Sequence, residues 1–155
     1  MAEPLPGAHE NWADLDALFR ADTLARTLDI ELVDWSAGQA RVSAVPSTEH
    51  CNFLGGVHGG FIYSAADVAM SVASNSWGRM AVALSIDMQY AAGGRPGDEL
   101  EFVATEQTRS RRIGNYRLVV SRGERTIATA TGLTYRTDDW VLGAEAWSGD
   151  WRSRY

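Results

Sequence analysis

The chain has 155 residues, which suits one compact domain able to bury a core without disulfide staples. Its 45% hydrophobic and 22% charged composition is ordinary for a globular protein, and a net charge of −6 argues against a nucleic-acid partner, which calls for a basic surface. The lone cysteine, Cys51, allows no intrachain disulfide, which fits a reducing, cytoplasmic setting.

Residues 1–10 read as a loose arm, with Pro4, Pro6 and Gly7. The stretch MAEPLPGAHENWADL has no basic patch followed by an apolar core, so no secretory signal is expected there. No apolar run approaches the roughly 20 residues that span a bilayer, so no membrane partner is expected. From Asn11, the apolar Trp12, Leu15, Leu18, Phe19 and Leu24 recur near helical spacing, with Asn11 or Asp14 as N-cap. DIELVDWSAGQARVSAVP alternates on both sides of Ala37-Gly38, which predicts a hairpin ended by Pro46. Residues 46–57 read as a glycine-bearing loop. A second, almost wholly apolar helix follows, running to about Trp77. Four strand-like runs come next: MAVALSIDMQYAA, DELEFVATEQTR, IGNYRLVVSR and RTIATATGLTYRT. Turn signals near Gly93 and Gly123 separate runs on either side. Residues 137–155, with Trp140, Trp147 and Trp151, carry no pattern that assigns them a structure. A helix apolar all round is buried, so the order predicts an α+β domain over residues 11–136: an antiparallel sheet around one central helix.

Two features of that helix carry chemistry. Its polar positions, Ser64, Asp67, Ser71 and Ser74, fall on one stripe at spacings of three, four and three. A solvated face would carry Lys, Arg or Glu. Small side chains instead suggest a surface packed against a neighbour, with Asp67 half-buried on it. Burial without a partner is costly for a carboxylate and raises its pKa, making it a better base. At the other end stands His58-Gly59-Gly60. The first N–H groups of a helix lack internal partners and carry partial positive charge, and glycine lets a ligand reach them. His58 and Asp67 are nine residues apart, so they point to opposite sides and lie about 13 Å apart along the axis. One helix cannot aim both at one atom. Two copies packed antiparallel can, so the spacing predicts a site shared across a two-fold dimer.

Asn52, Gly55, His58-Gly59-Gly60 and Asp67, at these intervals, resemble the signature of the PaaI-type acyl-CoA thioesterases of phenylacetate degradation, which have the hot-dog fold. ASNSWG at 73–78, Ser85-Ile86-Asp87, the PGDEL turn at 96–100 and Gly114-Asn115-Tyr116 extend the likeness over roughly residues 12–136; the tryptophan-bearing end lies beyond it. The resemblance implies a curved antiparallel sheet wrapped around the central helix, assembled as a homodimer or homotetramer with active sites at the dimer interface. It implies Asp67 as nucleophile or general base and the Gly59 N–H as the carbonyl's polariser. Asn52 and His58 would hold the acyl end or a water, and Ser85 would position the attacking water.

A thioester suits such a site. Sulfur donates weakly into the carbonyl and thiolate leaves readily, so a carboxylate and helix-end donors suffice. The chain has no zinc-like spacing, no nucleophile elbow, and no nucleotide-binding loop, so neither a metal nor a resident cofactor is expected; coenzyme A enters only as part of the substrate. Cys51 as nucleophile is weaker, because His50 projects to a different side. Arg109, Arg111, Arg112 and Arg117 either meet the phosphates of coenzyme A or are solvated strand ends. Phe61, Tyr63, Met70 and Trp77 either line an aryl-acyl pocket or form core. The rival readings are a hot-dog hydratase or dehydratase, which needs a histidine and carboxylate placed to move a proton at carbon, and a non-catalytic acyl-CoA-binding module, which has no need of a half-buried acid.

Overall fold

A computed structural model describes residues 8–155, and the expected arm through residue 7 lies outside the described residues. Helix α1 spans Ala8–Arg20. It buries Leu15 and stacks Trp12 on Trp35, with ring centroids 3.5 Å apart. Its start lies before both expected caps. Asn11 is instead a buried helix residue, whose Nδ2 donates to the Ala146 carbonyl at 2.7 Å. Nor does the helix run through to Leu24. The chain breaks after Arg20, and the Asp22 carboxylate accepts from the Ala25 N–H at 2.8 Å to cap a separate short helix, α2 (Thr23–Thr27).

Strands β1 (Ile30–Ser36) and β2 (Gln39–Ala44) form the predicted hairpin. Its turn needs Gly38 at φ +78°, which a side chain would strain. The central helix, α3, spans Gly59–Asn75 and stops two residues short of Trp77. Strands β3 (Arg79–Tyr90), β4 (Leu100–Arg109), β5 (Ile113–Arg122) and β6 (Arg125–Trp140) follow, each within or close to its predicted run. The six strands form one antiparallel sheet in the order β1-β2-β4-β5-β6-β3, curved around α3.

The core follows from the apolar pattern. Phe61, Ile62, Ala65, Ala66, Ala69 and Met70 of α3 are buried against Val42, Phe102, Ala104, Leu118 and neighbours on the sheet. Each large side chain so buried contributes about 1.5–3 kcal/mol. Close approach sets one residue type on β6. A Cβ at Gly132 would fall 2.2 Å from the Met70 sulfur. Phe61, Met70 and Trp77 are therefore core, and Tyr63 is exposed, so these four do not form an acyl pocket.

The C-terminal residues join that core. β6 runs on to Trp140, past the expected domain edge at 136. A 3-10 turn (Ala144–Ala146) and helix α4 (Gly149–Arg154) follow. Trp147 and Trp151 are buried, with indole N–H groups donating to the Val141 carbonyl at 2.7 Å and the Trp77 carbonyl at 2.9 Å. No described helix is long and apolar enough to cross a membrane.

Candidate functional site

The loop before α3 is fastened by its own polar groups. Ser47 caps the 3-10 turn Thr48–His50, and the Ser47 N–H donates to His50 Nδ1 at 3.0 Å. His50 is thereby occupied away from Cys51, whose thiol faces the Ser47 carbonyl at 3.6 Å, so the two are not a nucleophile–base pair. Asn52 turns the chain: its Oδ1 accepts from the Leu54 N–H at 2.9 Å, and its N–H donates to the Gly56 carbonyl at 2.8 Å. The His58 N–H donates to the His50 carbonyl at 2.8 Å and delivers the chain to the helix mouth.

His58 is the N-cap of α3. Its Nδ1 accepts from the Gly60 N–H at 2.8 Å, so one ring nitrogen has a structural task. The Gly59 N–H makes no hydrogen bond among the described residues. Tyr90, at the end of β3, donates its hydroxyl to the Gly59 carbonyl at 3.0 Å. A cleft of about 370 Å³ opens beside this mouth, walled by Val57, Gly59, Ile62 and Tyr90 through Gly93.

Asp67 lies two turns further along α3, half-buried. Its Oδ1 is buried and has no hydrogen-bond partner. Burial, and secondarily the Asp22 carboxylate, raise its pKa above 3.8. The serine stripe around it is only partly covered: Ser74 is buried, Ser64 is half-buried and Ser71 is exposed. Asp67 and Gly59 share one helix, so eight residues hold them about 12 Å apart along its axis.

Ser85 is on β3, exposed, and its hydroxyl makes no hydrogen bond among the described residues. β3 is a free edge of the sheet, twelve residues long, and carries the exposed apolar side chains Met80, Val82 and Leu84. A long apolar open edge is a surface proteins normally cover.

The sequence-predicted arginines separate. Arg109 lies over the Trp77 ring, its guanidinium carbon 3.8 Å from that centroid and 5.0 Å from that of Tyr155, which stacks beside Trp77, and pairs with Glu106 at 3.1 Å. Arg112 is paired with Asp138 at 2.8 Å. Arg111 is exposed beside them, and Arg117 projects from β5. Glu106 escaped the sequence reading, though it also accepts from the Trp77 indole at 2.8 Å and the Tyr116 hydroxyl at 3.0 Å. Arg109 is three residues on, but Trp77 lies 29 residues back, and no local spacing signals that these groups converge on one carboxylate.

The thioesterase superfamily matches residues 54–129 of the chain. A relative from Archaeoglobus fulgidus bearing an esterase designation is 32% identical over 125 residues, 80% of this chain and 81% of its own. Acyl-coenzyme A thioesterase PaaI of Escherichia coli is 28% identical over 137 residues, 88% of this chain and 98% of its own. The solved E. coli PaaI protein, from the phenylacetic acid degradation operon, superposes with a TM-score of 0.79 at 27% identity, covering 84% of this chain and 95% of that one. A Streptococcus mutans protein solved with acetyl-CoA bound superposes at 0.67 with 25% identity, covering 70% and 88%.

Proposed function

The chain belongs to the thioesterase superfamily and is a hot-dog thioester hydrolase of the PaaI type, and from that premise we propose that it cleaves an apolar acyl-CoA, aryl-acetyl or medium-chain, at a site completed by a second copy of the chain. One observation carries the reading: a buried carboxylate oxygen of Asp67 without a partner, on a helix whose first N–H groups include a free one at Gly59. Such an oxygen is a cost to folding that catalysis explains.

Asp67 takes a proton from water, and the water oxygen bonds to the thioester carbon. The carbonyl becomes an oxyanion, held by the partner's Gly59 N–H at the positive end of its helix. The carbon–sulfur bond then breaks, and the thiolate leaves with the proton, releasing free acid and coenzyme A. In the variant route the carboxylate itself attacks and water resolves the anhydride. A single turnover in oxygen-18 water that labels Asp67 identifies the anhydride route with water attacking the Asp67 carbon, whereas label in the released acid alone fits water attack on the acyl carbon. Asn52, His58 and Ser85 are assigned to the acyl end and the attacking water, for which Asn52 Nδ2, the second His58 nitrogen and the Ser85 hydroxyl serve.

The shared site answers the separation of about 12 Å along one helix. The open β3 edge supplies the dimer contact: pairing it with a second β3 covers Met80, Val82 and Leu84 and lays the two α3 helices side by side. The apolar cleft at the mouth fits an apolar acyl group, in line with the operon of the E. coli relative and with the acetyl-CoA held by the S. mutans protein.

The test is thiol release from phenylacetyl-, hydroxyphenylacetyl- and straight-chain acyl-CoAs. Asp67→Asn should lower turnover by about 10²–10⁴-fold, the contribution of a positioned base. An Asn variant that keeps most of the activity, with its fold unchanged by circular dichroism, removes Asp67 from the mechanism. Hydration of an enoyl-CoA without thiol release would favour the hydratase reading.

A further inference from the structure

A second cavity, of about 670 Å³, opens where β3 begins, just past the C-terminal end of α3. Six of the chain's 14 basic residues line it: Arg79, Arg109, Arg111, Arg136, Arg152 and Arg154. They come from β3, β4, the β4–β5 turn, β6 and α4, so only the fold brings them together. The acid in its wall, Asp138, is already shared between Arg79 at 2.7 Å and Arg112 at 2.8 Å. Among the described residues Arg111, Arg152 and Arg154 form no ion pair. Residues Trp140 to Tyr155, which close the cavity, lie beyond the segment that matches the superfamily.

Arg136 decides how this cluster is read. It is only 3% exposed and its Nε has no hydrogen-bond partner, while its other nitrogens donate to the Ser110 carbonyl at 2.8 Å and to the Tyr155 carbonyl. Burial, with Arg109 and Arg79 nearby, pushes its pKa down to about 10. A charged side chain buried among like charges, inside an acidic protein, raises the free energy of the empty cavity. Arg109 is meanwhile held by the face of the Trp77 ring and by its pair with Glu106, which removes much of the ordering cost of binding. Planar guanidiniums converging from five elements match phosphate oxygens, which accept in pairs.

We propose that this cavity binds a ligand bearing two or more phosphate charges, with Arg136 and Arg109 as fixed contacts and Arg111, Arg152 and Arg154 as the closing ones. The site stands at the opposite end of α3 from Gly59, and its existence does not depend on the hydrolytic reading. Two sources offer the chemistry: the nucleotide end of an acyl-CoA, with its diphosphate and 3′-phosphate, or a separate phosphorylated ligand.

Calorimetry with inorganic pyrophosphate and with adenosine 3′,5′-bisphosphate, at fixed ionic strength, tests the site directly. Saturable binding is expected, with a raised melting temperature. Arg152→Gln/Arg154→Gln, whose side chains are exposed, should weaken it about tenfold or more, the size of one lost charge-assisted hydrogen bond. Arg111→Gln should weaken it less. Circular dichroism checks that both variants fold. Absence of binding by both probes, or affinities unmoved in the double variant, overturns the proposal. Asp67→Asn, which leaves this cavity intact, serves to hold acyl-CoA without turnover. Pyrophosphate that displaces acyl-CoA from it identifies the substrate's nucleotide end as the source, whereas pyrophosphate that binds alongside acyl-CoA identifies a separate ligand. Either result comes from binding alone, so a failed hydrolysis assay leaves it readable.

Discussion

The two ends of α3 are built on opposite terms. At the N-terminal mouth the chain is glycine-rich and exposed, and a backbone N–H is left free. At the C-terminal end Trp77, Trp147, Trp151 and Tyr155 stack into an aromatic wall, with the arginine cavity beside it. Both ends contain a glycine that a neighbour approaches. At Gly59 an added Cβ would meet the tip of the Tyr90 ring at 3.3 Å, while at Gly78 it would meet the Trp147 ring at 2.2 Å. The first neighbour is the exposed end of a side chain and can give way; the second is a buried indole. A fold can leave unsatisfied groups where a ligand will satisfy them, provided the stability is supplied elsewhere along the same helix.

The largest expected effect breaks the open end. Gly59→Pro keeps a backbone suited to the first helical position and removes the free N–H, while Gly59→Ala, which keeps the N–H, controls for the added side chain against Tyr90. Turnover should fall about 10²–10³-fold, as when an oxyanion donor is lost. Mixing this chain with Asp67→Asn sharpens the point. In a mixed dimer with shared sites, one site holds both lesions and the other holds neither, so random pairing should restore roughly a quarter of wild-type activity. Mass spectrometry showing mixed dimers that remain inactive would place both groups within one chain.

The next effect breaks the closed end. Gly78 sits at φ +83°, and Gly78→Ala both strains that backbone and drives Cβ into Trp147. A loss of about 2–4 kcal/mol is expected in urea unfolding. The same substitution at Gly59 should cost about 1 kcal/mol or less, the price of moving Tyr90 aside. Equal losses at the two positions would erase the contrast between the ends.

Much of the mouth was legible because it is local. Asn52, Gly55, His58 and Gly59 lie within eight residues, and their spacing is preserved whatever the rest of the chain does. Strand alternation and the apolar run of α3 set the sheet and the core in the same local way. What stayed hidden depends on distance in sequence. Trp151 donates to a carbonyl 74 residues back, and Asn11 reaches one 135 residues ahead, so neither side chain's partner follows from its neighbours. The arginine cavity is hidden for the same reason: its six arginines come from four separate stretches of the chain, and Arg109 and Arg111 read equally well as solvated strand ends. The start of α1 was misplaced because Asn11 is a good cap by type, yet here its amide is needed inside the helix to hold the C-terminal segment.

The smallest expected effect asks what the open end costs when it is idle. Asp67 has a folded pKa above its ordinary value of 3.8, chiefly through burial. As pH rises, the unfolded chain therefore ionises this group first. The stability it permits is fully present below the unfolded pKa and is lost as pH rises through the folded one. At neutral pH the folded protein carries a half-buried carboxylate with one oxygen unpartnered. Asp67→Asn keeps the shape and removes the charge, so at neutral pH it should melt about 2–4 °C above the wild type, a gain of roughly 1 kcal/mol. In acid, once both states of the wild type are protonated, the two melting curves should converge. A variant that melts below the wild type at neutral pH would mean that the carboxylate is already stabilised by a partner, and the free oxygen at the open end would no longer call for a substrate to explain it.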